Sequence, residues 1–507
     1  MRIQHSGLGL RPRRGLRSLA VALTFGMALG SAPEVSADLG RAFSVDFTTP
    51  VNLSNDKGKA RESRIDQEDM TRKRARGRKA KRMGSHIYAA WQDRNTANGK
   101  EDIYFRFSTD GGVTWNPAVD PLNPTLSVSP MNLSSDSSVS TEPRLDADGR
   151  GSVYIVWQDV TSGKVKFRRL LIAGSTAIPL AAHDLNQGPV AGTETLPDLV
   201  LDDKGRVHAA WVQGGVVYYS RSTDQGITFE QPVAVSGAST STLEAEIAVD
   251  GKGRASLVWQ DGAMVLYNRV VDGVPGATPI DIGMNAIADA GPTVAVGTGG
   301  QVHVTWIGTE PGATRTFYTQ SRDGERFSEP LAMRPDTVRG LMGMGKADKA
   351  RILAWGERGV ALVWFEKVAS GQTEIFVARS QNGGRSFEGT QVSASTASRP
   401  NSADPRMAVD QAGHVHVAWR QGNGSTVDDV MYARELPGRL EFSAPELLSC
   451  PDNTTTCPGV SSRLVSPKND DPVPDVDVNG NVHIVYDSNE GGTKRGDIFF
   501  VRSRRVH

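Results

Sequence analysis

The sequence predicts an all-β protein, and specifically a β-propeller of four-stranded blades, on three observations. A short apolar strand that ends in an aromatic residue recurs eight times in the 507 residues. Segments typical of strands precede and follow most copies, joined by turns rich in Gly and Asp. The strand that the last repeat lacks is found at the opposite end of the chain. Four short strands repeated in this way are typical of blades that bury their faces against their neighbours.

The recurring strand has sequences such as "VYIVW", "VHAAW" and "VHVAW". A third strand such as "VVYYSRS" follows it, and a fourth such as "FEQPVAVS" ends the repeat. We predict eight blades, with seven as the alternative, because the first repeat shows no recognisable innermost strand. The eight copies end at Trp91, Trp157, Trp211, Trp259, Trp306, Trp364, Trp419 and Tyr486.

The two ends of the chain predict how the ring closes. The last repeat stops at its third strand, "IFFVRS", while "FTTPVNLS" at Phe47–Ser54 matches the fourth-strand pattern of "FSAPELLS" at Phe442–Ser449. We therefore predict that the N-terminal strand completes the last blade. Without this exchange the first and last blades would present open sheet edges, which proteins avoid.

Residues 1–37 have the composition of a secretory signal peptide. An arginine-rich start, "RPRR", precedes an apolar run, and "VSA" offers small residues for cleavage. We expect residues 38–507 to form a single propeller domain that is secreted or periplasmic, with no transmembrane segment. In such a compartment the two cysteines, Cys450 and Cys457, are predicted to form one disulfide.

A basic segment interrupts the first repeat. Residues 55–83 carry twelve Lys and Arg residues and almost no apolar side chains. We predict a solvated, disordered insertion there, with binding to anionic polysaccharide, nucleic acid or phospholipid surfaces as the weaker alternative. The whole chain has 57 basic and 57 acidic side chains, so its net charge favours no class of partner.

A second motif recurs between predicted strands. "STDGGVTW" begins at Ser108 and "STDQGITF" at Ser222, and two degraded copies contain Asp323 and Asn382. An Asp in this position folds its carboxylate onto nearby backbone N–H groups, while Gly supplies a positive φ. We therefore assign these residues to turns that are structural: Ser108, Asp110, Gly112, Trp115, Ser222, Asp224, Gly226, Phe229, Asp323 and Asn382.

These turns resemble the Asp-box, or bacterial neuraminidase repeat, of the sialidase-like propellers, and the resemblance covers nearly all of residues 44–504. In that family the Asp-box lies between the third and fourth strands, away from the mouth where ligands bind. The resemblance also implies an Arg-Ile-Pro stretch, three arginines that hold a carboxylate, and a Tyr nucleophile. The sequence contains no Arg-Ile-Pro, and no tyrosine stands out as a nucleophile, which argues against a retaining sialidase of the usual kind.

Charged residues are predicted to surround the mouth of the central channel. Counting thirteen residues back from the strand-end aromatics gives Arg144, Asp198, Glu246, Thr293, Arg351 and Arg406, and Asp475 for the last repeat, where we expect a shorter turn. The ends of the second strands add Gln92, Asp93, Gln158, Asp159, Gln260, Asp261, Glu366, Arg420 and Asp487.

This inventory suits an anionic glycan, because guanidinium groups bind carboxylate or sulfate and carboxylates accept sugar hydroxyls. The predicted ligand contacts are Arg144, Arg351, Arg406, Asp475, Asp93, Asp159, Asp261 and Arg420. The alternative is that these charges pair with one another across a channel filled with water. If the protein hydrolyses a glycoside, Asp198 and Glu246 on adjacent blades are the predicted acid/base pair.

Three functions remain open from the sequence. The preferred one is binding of a glycan, sialylated glycans included, or of another anionic polymer. The alternatives are a glycoside hydrolase of the exo-α-sialidase type and a scaffold that binds a protein partner through its loops. We expect a monomer with no cofactor. We also expect no metal site, because His208, His303, His416 and His483 stand on separate repeats and cannot converge on one ion.

Overall fold

The computed structural model describes the strands and most of their connections. The chain divides into Met1–Ala42, which lies outside the described residues, and Phe43–His507. The described residues are 47–48, 50–54, 61–67, 86–94, 98–118, 128–135, 137–185, 196–239, 241–283, 285–287, 291–343, 345–397, 399–422, 428–438, 440–449, 469–477, 479–488 and 497–503. The predicted signal peptide, both cysteines and most of the basic segment therefore lie outside them.

The described residues form antiparallel sheets joined by turns and contain no helix, so none that could cross a membrane. We number eight units of four principal strands along the chain, and the first strand of each is called its inner strand. The first strand among the described residues is β1 (Val51–Asn52). Unit one contains β2 (Arg61–Gln67), β3 (Ile87–Arg94), β4 (Glu101–Ser108) and β5 (Met131–Asn132). Unit two contains β6 (Ser140–Ala147), β7 (Ser152–Asp159), β8 (Lys164–Ala173), β9 (Thr176–Pro179) and β10 (His183–Asp184).

The next three units repeat this order. Unit three contains β11 (Asp198–Leu201), β12 (Val207–Gln213), β13 (Val216–Ser222) and β14 (Val233–Ala234). Unit four contains β15 (Thr242–Val249), β16 (Ala255–Asp261), β17 (Met264–Val271), β18 (Val274–Pro275) and β19 (Ile280–Gly283). Unit five contains β20 (Thr293–Val296), β21 (Val302–Glu310), β22 (Ala313–Ser321) and β23 (Leu331–Ala332).

Three further units follow along the chain. Unit six contains β24 (Ala347–Trp355), β25 (Gly359–Lys367), β26 (Thr373–Ser380) and β27 (Glu388–Gln391). Unit seven contains β28 (Asn401–Val409), β29 (Val415–Gly422), β30 (Asp428–Arg434) and β31 (Glu446–Leu447). Unit eight contains β32 (Asn469–Val476), β33 (Val482–Ser488) and β34 (Asp497–Arg502). One parallel bridge, Thr373 to Asn401, joins units six and seven.

The inner strands contact one another in cyclic order. Each packs against the inner strand of the next unit, and β32 of unit eight packs against β2 of unit one. The strand-end aromatics that defined the repeat are all buried between units. The apolar second strands thus form the core of each interface between units. A single repeat cannot bury its apolar faces alone, so each unit needs its neighbours.

Strand β1 supplies the outer strand of unit eight, which confirms the predicted pairing of the two chain ends. Val51 pairs with Phe500, and Phe47 bridges Ser503. Ser54 Oγ accepts the Ile498 N–H at 3.1 Å, as Ser134 Oγ accepts Ile103 N–H at 3.0 Å within unit one. The N-terminal strand therefore makes the same contacts as an ordinary fourth strand.

Arginines connect β1 and its equivalents to the following unit. Arg106 Nε donates to the Leu53 carbonyl at 2.6 Å, and Arg168 of unit two donates to the Leu133 carbonyl of unit one. Leu53 and Leu133 are both fully buried. The pairing of the chain ends is thus supported by the same kind of contact as the one that joins units one and two.

The turns that resemble Asp-boxes, called Asp-box turns below, join neighbouring units. Their aromatic residues pack edge-on, with ring centroids 4.8 Å apart, against an aromatic on the third strand of the preceding unit. The pairs are Trp115 on Phe500, Phe229 on Phe167, Phe327 on Tyr267 and Phe387 on Tyr318. The motif therefore acts across an interface as well as within its own turn.

The Asp-box carboxylate organises the turn itself. Asp224 Oδ1 accepts N–H groups of Ile227 at 3.1 Å and Thr228 at 2.9 Å, and Oδ2 accepts the Thr228 hydroxyl at 2.5 Å. Burial alone would raise the pKa of Asp224, but hydrogen bonds from Thr228, Ser222 and Ile227 outweigh it and lower the pKa to about 2. Asp110 makes the same bonds, and its pKa is lowered for the same reasons.

Candidate functional site

The predicted mouth residues occupy one register position of the inner strands, called here the ring position. Each ring residue pairs with the residue that precedes the strand-end aromatic of the second strand, as Arg144 pairs with Val156 and Arg406 with Ala418. The count of thirteen residues therefore found the correct position in units two to seven. These residues are Arg144, Asp198, Glu246, Thr293, Arg351 and Arg406.

The eighth ring residue is Val473, not Asp475. Val473 pairs with Val485, whereas Asp475 lies two residues further along and pairs with His483. The prediction assumed a shorter turn, but Asp477 N–H bonds to the Asn481 carbonyl just as Asp202 N–H bonds to the Arg206 carbonyl. Because the turns have equal length, the count of thirteen applies here too.

The first unit has an inner strand that the sequence analysis did not recognise. It is β2, Arg61–Gln67, within the basic segment that we predicted to be disordered, and Arg64 pairs with Ala90 at the ring position. The sequence of this strand, "RESRIDQ", has one apolar residue, so hydrophobic alternation gave no signal. The ring position is thus occupied by arginine in units one, two, six and seven.

A recurring backbone distortion precedes the ring position. The residue two places earlier has a positive φ in five units: Glu142 (53°), Leu196 (35°), Gly291 (53°), Lys349 (51°) and Asp404 (49°). Four of these five residues are followed by proline. In units two, six and seven the pairing register also shifts here, so a β-bulge lies directly before the arginine. Bulges re-aim the side chains that follow them, and non-glycine residues with positive φ concentrate at functional sites.

Three of the arginines at the ring position, Arg144, Arg351 and Arg406, are half-buried. Arg144 Nη1 lies 3.4 Å from Glu142 Oε2 and donates to the Pro143 carbonyl at 3.2 Å. Arg351 Nη1 donates to the Ala350 carbonyl at 3.2 Å. These contacts come from the distorted segment itself, so the bulge holds the guanidinium group that follows it.

The acidic residues at the ends of the second strands are less accessible to a ligand than we predicted from the sequence. Asp93 and Asp159 are buried, and Asp159 Oδ1 accepts the Ser162 N–H at 3.0 Å. Asp261 Oδ1 accepts the Ser239 hydroxyl at 2.5 Å. Ligand binding by Asp93, Asp159 and Asp261 stays a prediction. The function proposed below does not rely on these three residues.

Two further charged residues at the second-strand ends hold neighbouring segments. Arg420 Nη2 bonds to Asp404 Oδ2 at 2.7 Å, and its Nη1 to Asp428 Oδ2 at 3.1 Å. Because Asp404 is the positive-φ residue before Arg406, Arg420 supports the bulge of unit seven. Glu366 is buried and pairs with Arg315 Nη1 at 2.9 Å.

The predicted acid/base pair lies on adjacent inner strands. Asp198 Oδ1 accepts the Leu199 N–H at 2.9 Å, and its Oδ2 accepts the Ile247 N–H of unit four at 3.2 Å. Glu246 precedes Ile247 and is half-buried. Both oxygens of Asp198 thus serve backbone donors, which is a structural use of this carboxylate.

The four repeat histidines are buried strand residues. His208 Nδ1 lies 2.7 Å from the Tyr219 hydroxyl, and His303 Nδ1 lies 2.8 Å from the Tyr318 hydroxyl. Burial lowers the pKa of His303 to about 4. No group of three or more His, Cys, Asp or Glu side chains that could hold a metal ion occurs in the part of the chain that the structure describes.

Comparisons with known proteins give only distant likenesses. No protein-family model and no curated protein sequence matches the chain. Among solved structures, a protein of unknown function from Dyadobacter fermentans DSM 18053 is 14% identical, with 91% of this chain and 99% of that chain covered and a TM-score of 0.39. An ulvan lyase of polysaccharide lyase family PL25 is 12% identical, with 74% and 91% covered and a TM-score of 0.40. The Hadza microbial sialidase Hz136 is 14% identical, with 68% and 72% covered and a TM-score of 0.34.

Proposed function

We propose that the protein is an exported, eight-bladed propeller of the sialidase-like type that binds an acidic glycan or another anionic polymer at the ring position. The observation that carries this proposal is arginine at one register position of four inner strands, at Arg64, Arg144, Arg351 and Arg406. A position selected only for packing between sheets would be apolar. Guanidinium groups recognise carboxylate and sulfate through paired hydrogen bonds.

The distribution of the arginines favours a polymer over a single anion. Units six, seven, eight, one and two follow one another in the cyclic order of inner-strand contacts, and only Val473 interrupts the series of arginines. One carboxylate can be contacted from neighbouring units, whereas an arc over five units can contact several anionic groups of one chain. Each such contact also releases counterions, so binding should weaken as salt increases.

The test compares dextran sulfate with unmodified dextran, which differ only in the sulfate groups. We expect the protein to bind dextran sulfate and not dextran, and the double variant Arg351→Glu/Arg406→Glu to bind at least tenfold more weakly at low salt. The matched control is Arg326→Glu/Arg385→Glu, which makes the same charge change at exposed positions in Asp-box turns. Equal weakening by both double variants would show that net charge alone governs binding and would contradict the proposal.

A hydrolysis assay on the same purified protein distinguishes binding from catalysis. Release of a fluorescent leaving group from α-sialosides, lost in Asp198→Asn and Glu246→Gln, would replace the binding proposal with the glycosidase alternative. We expect no such turnover, because both oxygens of Asp198 already accept backbone N–H groups.

A further inference from the structure

Two of the bulges before the ring arginines are held by a side-chain oxygen. In unit two, Gln92 Oε1 of unit one accepts the Glu142 N–H at 2.9 Å. In unit six, Asp348 Oδ1 accepts the Lys349 N–H at 2.8 Å. Glu142 and Lys349 are the positive-φ residues of their bulges. The backbone that precedes each arginine is therefore fixed by a hydrogen bond to a side chain, in addition to the bonds between strands.

Unit seven holds its bulge with an ion pair instead. Asp404 has a φ of 49°, and its Oδ2 accepts Arg420 Nη2 at 2.7 Å and Arg420 Nε at 3.1 Å. Arg420 Nη1 also donates to Oδ2 of the buried Asp428 at 3.1 Å. Because Arg420 lies on β29 and Asp428 on β30, the side chain of Asp404 is tied to the second and third strands of its unit.

Arg420 and Gln92 occupy the same place in the repeat. Each directly follows the strand-end aromatic of its second strand, Trp419 and Trp91. Arg420 acts on the bulge of its own unit, and Gln92 acts on the bulge of the next unit. A left-handed backbone at a residue other than glycine is unfavourable by itself and persists only where its surroundings fix it. These two side chains therefore help to fix the bulges before two of the ring arginines.

The charges of unit seven favour an indirect role for Arg420. It is already bonded to two carboxylates, so a sulfate or carboxylate of a polymer would have to compete with both. The negative charge of Asp404, two residues before Arg406, opposes an anion bound there. An acidic residue beside an anion site is explained if it contributes geometry rather than charge.

We propose that Asp404 and Arg420 are positioning residues, which hold the bulge of unit seven so that Arg406 faces the polymer, and that Gln92 does the same for Arg144. The inference rests on the proposed function at the ring position. Binding groups are most effective when neighbouring side chains hold them in the productive geometry.

The test uses the sign of a charge change. Asp404→Ala removes a negative charge, so binding of dextran sulfate would become tighter if charge alone governed it or if Arg420 were released to bind the polymer. We expect at least about threefold weaker binding at low salt, because alanine neither favours a positive φ nor accepts a bond from Arg420. Asp404→Asn is the matched control. It removes the same charge but keeps an oxygen for Arg420 and tolerates a positive φ, so it should bind at least as tightly as the parent.

Gln92→Leu tests unit two without any change of charge. It removes the acceptor of the Glu142 N–H and should weaken binding of dextran sulfate at least about threefold. Gln158→Leu is the matched control, because Gln158 is also buried and holds the same place in unit two, but the next unit has Asp198 at its ring position. It should bind like the parent. Equal weakening by both Leu variants would contradict the role given to Gln92.

Crystal structures of the parent and Asp404→Ala give a readout that does not need the polymer. We expect the Arg406 guanidinium to move by more than about 1 Å in the variant. An unmoved Arg406, or an Asp404→Ala variant that binds dextran sulfate as tightly as the parent, overturns the proposal. A parent that does not bind dextran sulfate contradicts the proposed function instead, and the position of Arg406 still decides whether Asp404 and Arg420 hold it. If Asp404→Ala does not fold, the position of Arg144 in Gln92→Leu decides in the same way.

Discussion

At the scale of single residues, a neighbouring unit leaves no room for a side chain at the glycine of the Asp-box. Gly226 has a φ of 80°, and a Cβ atom placed on it would lie 2.5 Å from the ring of Phe167 on unit two. The same holds for Gly112 against Phe500 of unit eight. Backbone conformation and interface packing therefore both require glycine here.

We expect Gly226→Ala to destabilise the protein by about 2–4 kcal/mol, the combined order of a left-handed alanine and an overpacked contact. Urea unfolding measures this change. Gly174→Ala is the matched control, since Gly174 also has a positive φ, 60°, but no atom lies within 4 Å of its added methyl group, so it should cost only about 1–2 kcal/mol. Similar losses in both variants would contradict the role given to Phe167.

The Asp-box carboxylate gives a second prediction, because unit six carries Asn382 in the same place. Asn382 Oδ1 accepts the Arg385 and Ser386 N–H groups, both at 3.1 Å, and its Nδ2 donates to the Ser386 hydroxyl at 2.7 Å. We therefore expect Asp224→Ala to cost about 1–2 kcal/mol through lost hydrogen bonds and Asp224→Asn to cost less. Polymer binding should survive in both.

The pH dependence of this difference has a definite sign. The folded pKa of Asp224, about 2, lies below its ordinary value of 3.8, so the stabilisation of the ionised form is present above pH 3.8 and is lost as the pH falls towards 2. The stability difference between the parent and Asp224→Asn should therefore shrink over that range in denaturation curves. A difference that grows on acidification would contradict the hydrogen-bond assignment.

At the scale of strands, the closing strand can be compared with an ordinary fourth strand. Leu53 and Leu133 are both fully buried, and each carbonyl accepts an arginine from the following unit. Leu53→Ala and Leu133→Ala should each destabilise by about 2–5 kcal/mol, and deletion of residues 38–54 should lower the melting temperature further. An unchanged melting temperature for Leu53→Ala would show that β1 contributes nothing to closure.

The sequence predicted the strands whose patterns repeat and missed those that carry few apolar residues. The missing fourth strand of the last repeat and the match of "FTTPVNLS" to the fourth-strand pattern were sufficient to place β1 on unit eight. Strand β2 was missed because it has a single apolar residue. The bulges before Arg144, Arg351 and Arg406 were also missed. Proline directly follows the positive-φ residue in units two and seven but not in unit six, so the sequence offered no single rule to detect them. The ring position of unit eight was wrongly assigned to Asp475, because the length of the turn that follows this strand became clear only from the structure.

At the scale of the whole molecule, the four buried histidines connect stability to pH. Burial lowers the pKa of His208, His303, His416 and His483. The neutral form is thus favoured in the folded state, so stability is complete above the ordinary pKa of 6.5 and falls as the pH decreases towards the folded pKa. Unfolding should be progressively easier between pH 6.5 and 4.

His303→Gln tests one of these contributions. Gln can keep a hydrogen bond to Tyr318 but does not titrate, so the variant should lose about 1.4 kcal/mol less per pH unit than the parent between pH 6 and 4.5. Thermal or urea unfolding across this range measures the slope. Parallel profiles for the parent and the variant would exclude His303 as a source of acid sensitivity.

The pairing of β1 with β34 also determines the order in which the protein can be completed during synthesis. Val51 is synthesised long before its partner Phe500. The closing contact must therefore wait until all the strands between β1 and β34 have been made, and it joins two strands separated by a long stretch of chain whose closure entropy opposes it. A chain interrupted anywhere before residue 497 would leave β1 without its native partner, so synthesis of β34 is itself a condition for the sheet of unit eight to form.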